Sequence, residues 1–194
     1  MPRSFLFSRE QVIQAALGLT RESGITAVTA RSLAARLGTS TKPIFGLFQS
    51  MEEVQHEVLA AADAHYHAYI ADQMARGDFP PYKASGMAYI RFAKEERELF
   101  KLLFMRDRTG EAPAEDVQLE ELLRLISSAT GLSREDAYTL HLEMWVFVHG
   151  MAAMVATSYL DWFAWDEAFI SRTLTDVYAG LTQRFLSEHG QRKE

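Results

Sequence analysis

Residues 30–48 read ARSLAARLGTSTKPIFGLF, and their spacing predicts a helix, a glycine-punctuated turn and a second helix. Leu33 and Leu37 lie four apart on one helical face with Ala34 beside them, so the first helix has an apolar side to bury. Gly38 follows at once; glycine takes the left-handed backbone conformation at a helix end without steric cost, which makes it the expected stop. Ser40 and Thr41 are good caps for a new helix. Ile44, Leu47 and Phe48 then recur at helical spacing and can pack back on Leu33 and Leu37. That leaves Thr41, Lys42, Phe45 and Gly46 toward the other side. Pro43 is compatible with a first turn, where the amides have no carbonyl four residues back. A second helix held proud of a small core in this way can enter the major groove of DNA.

The flanks extend the pattern. Ser8 with Gln11 three residues on has the form of a capping box, and Val12, Ile13, Ala16 and Leu17 make the inner stripe of a helix that Gly24 would end. Ile25 and Val28 are expected to plug the small core. Ser50 with Glu53 is a second capping box, opening a long helix through Val54, Val58 and Leu59 toward Tyr69.

Residues 8–59 resemble the DNA-binding domain of the TetR family of bacterial transcriptional regulators. The likeness is carried by the leading helix, the positioning helix over 29–37, the Gly38-Thr39-Ser40 turn, the short recognition helix ending in Phe48, and the entry to the fourth helix at Ser50, Glu52 and Glu53. It implies an all-α homodimer: an N-terminal helix-turn-helix DNA-binding domain, placed at residues 1–50, followed by a helical ligand-binding and dimerisation domain at 51–194. It also implies a regulator, expected to be a repressor, that binds a palindromic double-stranded DNA operator and is released by a small-molecule effector. By this resemblance Thr29 caps the positioning helix and touches phosphate, Arg31 approaches the backbone, and Thr39, Ser40, Thr41 and Lys42 present the recognition helix to the groove. Lys42 is the first choice for a base or phosphate contact and Phe45 for a thymine methyl. The chain departs from the family at Phe45, where a tyrosine is usual, at Gly46, where a polar or aromatic side chain is common, and at Met51, the usual place of a lysine. Fewer phosphate contacts imply weaker or less salt-sensitive binding.

Charge is distributed unevenly. Residues 1–50 hold six Lys/Arg (Arg3, Arg9, Arg21, Arg31, Arg36, Lys42) against Glu10 and Glu22, a net of +4, and the other 144 residues carry −10 of the total −6. A basic head on an acidic body directs the head toward a phosphate backbone. With 194 residues and 48% hydrophobic content the chain can bury a substantial core, and two compact units sharing one long helix are expected. No stretch approaches about 18 uninterrupted apolar residues, so no membrane span is expected. The opening MPRSFLFSREQ is too soon charged for a secretory signal. The absence of cysteine excludes disulfides and thiolate metal sites, and a cytoplasmic protein is expected.

The remainder reads as helices over 82–94, 96–105, 115–129, 134 to about 160 and 166 to about 188. Turn formers cluster near 77–81, 108–113 and 130–133, and Ser133 with Asp136 gives a start signal. Residues 140–159 are apolar over most of the circumference, and Phe169, Leu174, Val177, Leu181 and Phe185 form a broad stripe on the last helix. The resemblance assigns these two last helices to the homodimer interface, and Gly150, Ala152, Ala153 and Ala156 are small enough for close approach. Among the aromatic and methionine side chains, Tyr66, Tyr89, Phe104, Trp145 and His149 are the expected effector contacts, each combining apolar bulk or a polar handle with a central place in its helix. They imply a small, lipophilic or aromatic ligand. His65 with His67, and His141 with His149, are poorly spaced as metal pairs, so no metal is expected. No cofactor and no catalytic motif is expected either. The alternative is a helical small-molecule-binding protein or enzyme without DNA binding.

Overall fold

The computed structural model describes residues 7–109 and 117–191. Every regular element among them is helical: α1 Arg9–Ser23, a 3-10 turn Ile25–Ala27, α2 Ala30–Arg36, α3 Ile44–Leu47, α4 Met51–Ala75, α5 Pro81–Glu95, α6 Arg97–Phe104, α7 Val117–Thr130, α8 Arg134–Ala156 and α9 Glu167–Gln191. The turn expected near 108–113 and the helix start expected at 115 fall largely outside the described residues.

Two compact units divide the chain. The first comprises residues 1–69 and 95–107, the second residues 70–94 and 108–194. In the first, Val12 and Ala16 of α1, Leu33 of α2, Ile44 of α3 and Val54 of α4 are fully buried, joined by Leu99 and Phe100 of α6. In the second, Phe92 of α5, Leu123 and Ile126 of α7 and Leu140 and Ala152 of α8 form the core, with Leu174 of α9 close behind.

The local signals act as the sequence predicts at most helix ends. Ser8 caps α1 in a reciprocal box with Gln11, and Gly24 ends it at φ 80°. Thr29 caps α2 in a box with Ser32, whose hydroxyl stands in for the usual glutamate. Gly38, at φ 64°, closes α2: its N–H donates to the Ala35 carbonyl at 3.1 Å and the Thr39 N–H to the Ala34 carbonyl at 2.9 Å. This is the Schellman arrangement, with the left-handed position filled by the residue that tolerates it best. Ser133 accepts from the Asp136 N–H and starts α8.

Four expectations are corrected. Neither Ser40 nor Thr41 caps the second helix. Its hydrogen bonding begins at the Thr41 carbonyl, which accepts from the Phe45 N–H at 3.2 Å, so Pro43 sits where one of the two cappable amides would be and has none to offer. At Ser50 only half of the capping box forms: its Oγ accepts from the Glu53 N–H, but the Glu53 carboxylate turns away to the Gln49 N–H at 2.6 Å and to Arg9 at 2.7 Å. Leu37 and Ile25 are half-buried rather than core. Finally, α8 stops at Ala156, short of residue 160. Thr157 bonds back to the Ala153 carbonyl, the Tyr159 N–H reaches the Met154 carbonyl at 2.9 Å, and Ser158 takes the left-handed position at φ 53°. The chain thus turns by a second Schellman closure without a glycine.

By length and hydropathy α8 could cross a membrane. Its buried residues instead build the core of the second unit, where it packs on α7 and α9.

Candidate nucleic-acid interface and effector contacts

The seven residues expected at DNA all lie in the first unit. Arg31, Ser40, Thr41 and Lys42 are exposed, Thr39 is half-buried, and Phe45 is 48% exposed while its neighbour Ile44 is fully buried. Thr41, Lys42 and Phe45 share one helical turn, since the Thr41 and Lys42 carbonyls accept from the Phe45 and Gly46 amides. Thr29 is exposed at the start of α2, its Oγ1 committed to the Ser32 N–H at 3.1 Å. The Thr39 amide is committed as well, to Ala34, so only the Thr39 side chain is left to meet a ligand.

The structure revises the charge argument. Of the basic residues counted in the head, three are neutralised by carboxylates of the same unit: Arg9 by Glu53 and Glu57, Arg21 by Glu96, and Arg36 by Glu22. Arg36 holds the Glu22 carboxyl below the usual carboxylate range. The Gln49 amide and then Arg9 do the same to Glu53. Arg31 and Lys42 are the two cations of the helix-turn-helix without an ion pair among the described residues. The positive potential available to a phosphate is therefore concentrated on the exposed faces of α2 and α3.

Arg9 is a residue that sequence reasoning passed over. Its guanidinium donates to the Leu47 carbonyl and to Glu53 and Glu57, and lies 4.2 Å from the centre of the Phe48 ring. One side chain of α1 thus fastens the end of α3 to the first turns of α4. The pairing was foreshadowed only by Glu53 and Glu57 standing four apart on one face of α4.

The five expected effector contacts fall into two groups. Tyr66 and Phe104 belong to the first unit and meet edge to face with centroids 5.0 Å apart. Tyr89, Trp145 and His149 belong to the second: the Tyr89 hydroxyl is 2.9 Å from His149 Nδ1, and the Trp145 ring stacks on His149 at 5.1 Å and 16°. Neither unit holds all five. Burial lowers the His149 pKa, which keeps its imidazole neutral and able to pair with a phenol. Trp145 remains 46% exposed.

A second rung of the same kind escaped the sequence reading. The Tyr82 hydroxyl lies 3.1 Å from His141 Nδ1, and burial pushes the Tyr82 phenol far up. Tyr82 and Tyr89 are seven apart on α5, His141 and His149 eight apart on α8. Tyrosine–histidine pairs thus recur about two turns apart along both helices. His65 and His67 pair separately, with Glu96 at 3.4 Å and Asp63 at 3.5 Å.

A short helix presented on a glycine-closed turn, at the head of an otherwise helical chain, defines a helix-turn-helix protein of the all-α class. Residues 82–177 match the tetracyclin repressor-like C-terminal domain family. Among solved structures the chain is similar to the transcriptional regulator SCO7222, a TetR from Streptomyces coelicolor, at 20% identity and TM-score 0.64, covering 91% of this chain and 98% of that one. It is also similar to a TetR variant from Acinetobacter baumannii AYE in complex with minocycline, at 21% identity and TM-score 0.56, covering 91% and 97%. No curated protein matches in sequence. Residues 82–177 thus carry the tetracyclin repressor-like C-terminal domain, and the fold of the described residues is that of TetR regulators.

Proposed function

We propose that the protein is a cytoplasmic, non-enzymatic repressor that binds a palindromic operator as a homodimer and is released by a small lipophilic or aromatic effector. The observation that carries the reading is the exposed turn of α3. Thr41, Lys42 and Phe45 face outward while Ile44 and Phe48 anchor the same turn in the core. A cation and an aromatic edge, side by side on a rigid support, suit a phosphate and a thymine methyl. Residues 1–50 act as the DNA-binding head and 51–194 as the ligand-binding and dimerising body.

Dimerisation through α8 and α9 is supported by the apolar face that α8 leaves uncovered: Tyr138, Leu142 and Val146 are all at least 40% exposed. Gly150 stands in the same stripe with nothing within 4 Å of a Cβ placed on it. Two heads related by a two-fold axis meet successive major-groove faces about 34 Å apart. For the effector, Tyr89, Trp145 and His149 offer a flat aromatic surface with a neutral polar edge, and the Acinetobacter relative solved with minocycline supports a small-molecule ligand in this fold. The effector acts only by as much as it favours one spacing of the two heads over another.

Selection of genomic DNA fragments by the purified full-length protein tests the proposal. Enrichment of fragments sharing an inverted repeat is the expected result. A carrier or enzyme of the same fold enriches none, and that outcome would overturn the reading.

A further inference from the structure

α3 is four residues long and has little of its own to hold it. Pro43 precedes it without a side-chain cap, and a single turn forms too few hydrogen bonds to offset the ordering of its backbone. The Ile44 carbonyl takes the Phe48 N–H at 2.9 Å, after which the chain turns extended, so the last carbonyls of the turn need partners from elsewhere. For Leu47 that partner is Arg9, the first residue of α1, whose Nη1 donates to the carbonyl at 2.6 Å. Nη2 of the same guanidinium donates to Glu53 at 2.7 Å and to Glu57, both on α4, and Cζ stands 4.2 Å from the centre of the buried Phe48 ring. Glu53 also accepts from the Gln49 N–H at 2.6 Å. The segment that leaves α3 is therefore tied at Leu47, Phe48 and Gln49 around one side chain. A cation at the start of a helix opposes the helix dipole, so Arg9 stands there at a local cost that these distant contacts offset.

We infer that Arg9 is a positioning residue for base recognition: by closing the carboxyl end of α3 from α1, it holds the Lys42–Phe45 turn at a fixed angle and so decides how sharply the protein discriminates between operator sequences, without touching DNA itself. An arginine can cap the last carbonyls of a helix, and its planar fork fixes angle as well as distance, which a single ammonium contact does not. Base readout depends on that angle, because hydrogen bonds and methyl contacts to base edges are directional; attraction to phosphate depends on it far less. With its guanidinium shared between the Leu47 carbonyl and the Glu53 and Glu57 carboxylates, Arg9 has its charge already offset and is not offered to a phosphate. The inference rests on the DNA-binding reading above and adds what keeps the recognition turn in register with the bases.

The test uses the full-length protein, the fragment enriched from genomic DNA, and a version of it with one base pair exchanged in each half-site. Wild-type protein is expected to prefer the intact fragment by roughly tenfold or more. Arg9→Gln is expected to shrink that preference by roughly three- to tenfold, while the slope of log affinity against log salt stays as in wild type, because Arg9 releases no phosphate-bound counterion. Arg9→Lys, which keeps the charge but not the fork, falls between. Glu57→Gln has a smaller effect and adds nothing once Arg9 is replaced. A role confined to stability would weaken binding to both fragments alike, and an unchanged preference overturns the inference. A slope flattened by about 1.8 overturns it too, since that would put Arg9 of both copies on phosphate. Arg9 is 43% exposed, and Arg9→Lys with Glu57→Gln carries the same measurement should Arg9→Gln fail to fold. Hydrogen exchange without DNA reads the cap by itself: the Phe45, Gly46 and Phe48 amides, which close the turn, are expected to exchange at least about threefold faster in Arg9→Gln. Unchanged exchange there overturns the cap whatever the protein binds. Faster exchange in a protein that enriches no DNA overturns the regulatory reading instead, and reduces Arg9 to a structural tie.

Discussion

Lys42→Ala tests the proposed interface through salt, because the structure separates cations that are already neutralised from those that are not. Lys42 is exposed and has no ion pair among the described residues, whereas Arg36 is held by Glu22 at 2.7 Å. Each phosphate contact releases counterions and adds roughly 0.9 to the slope of log affinity against log salt. A dimer presents Lys42 twice, so losing it should flatten that slope by about 1.8. Between about 50 and 200 mM salt, a fourfold range, the affinity lost by the variant should then be about twelvefold smaller than that lost by wild type. Fluorescence anisotropy of a labelled operator fragment at four or five salt concentrations measures it. Arg36→Ala serves as the internal comparison and is expected to leave the slope where it was, since an arginine committed to Glu22 releases no phosphate-bound counterion. Equal slopes for wild type and Lys42→Ala would falsify the placement of Lys42 at the backbone. A change as large for Arg36→Ala would refute the reasoning that sorts the two.

Gly38→Ala forces a Cβ into the left-handed region at φ 64° with open space around it, so the cost is conformational, about 1–2 kcal/mol; urea denaturation should show it, with Gly38→Asn recovering part. Val146→Glu places a charge on the uncovered face of α8, where Val146 is 65% exposed; sedimentation should find a monomer of unchanged helicity, and a persistent dimer would move the interface elsewhere. His149 gives a pH dependence. Above its ordinary value of 6.5 both folded and unfolded chains hold it neutral, but as pH falls below that value the unfolded chain takes up a proton that burial denies the folded one. Stability should therefore decline on acidification, and His149→Gln should flatten the melting temperature between about pH 7 and 5.

The helix-turn-helix was legible because its signals are local. Thr29, Gly38 and Ser8 each act on amides or carbonyls within five residues, and the stripe through Leu33, Ile44 and Phe48 needs only helical periodicity to be read. The same reasoning erred at Ser40 and Thr41, where a proline two residues on had removed an amide, and at Ser50, where a distant arginine competed for Glu53. The effector contacts were legible as residue types, but their partners were not. Nothing near Tyr89 in the chain announces His149, sixty residues away.

What the sequence determined alone is the succession of helices, the caps at Ser8, Thr29 and Ser133 and the outward face of the recognition turn, because these depend on spacing along one helix. Which cations are paired was decided by the tertiary structure. Arg9, Arg21, Arg36, Arg31 and Lys42 are alike in the sequence as single positive charges, and only folding brings Glu57, Glu96 and Glu22 to the first three and leaves the last two without an ion pair among the described residues. Coulomb interactions depend on distance in space, and a separation of 75 residues between Arg21 and Glu96 says nothing of it until the helices are packed.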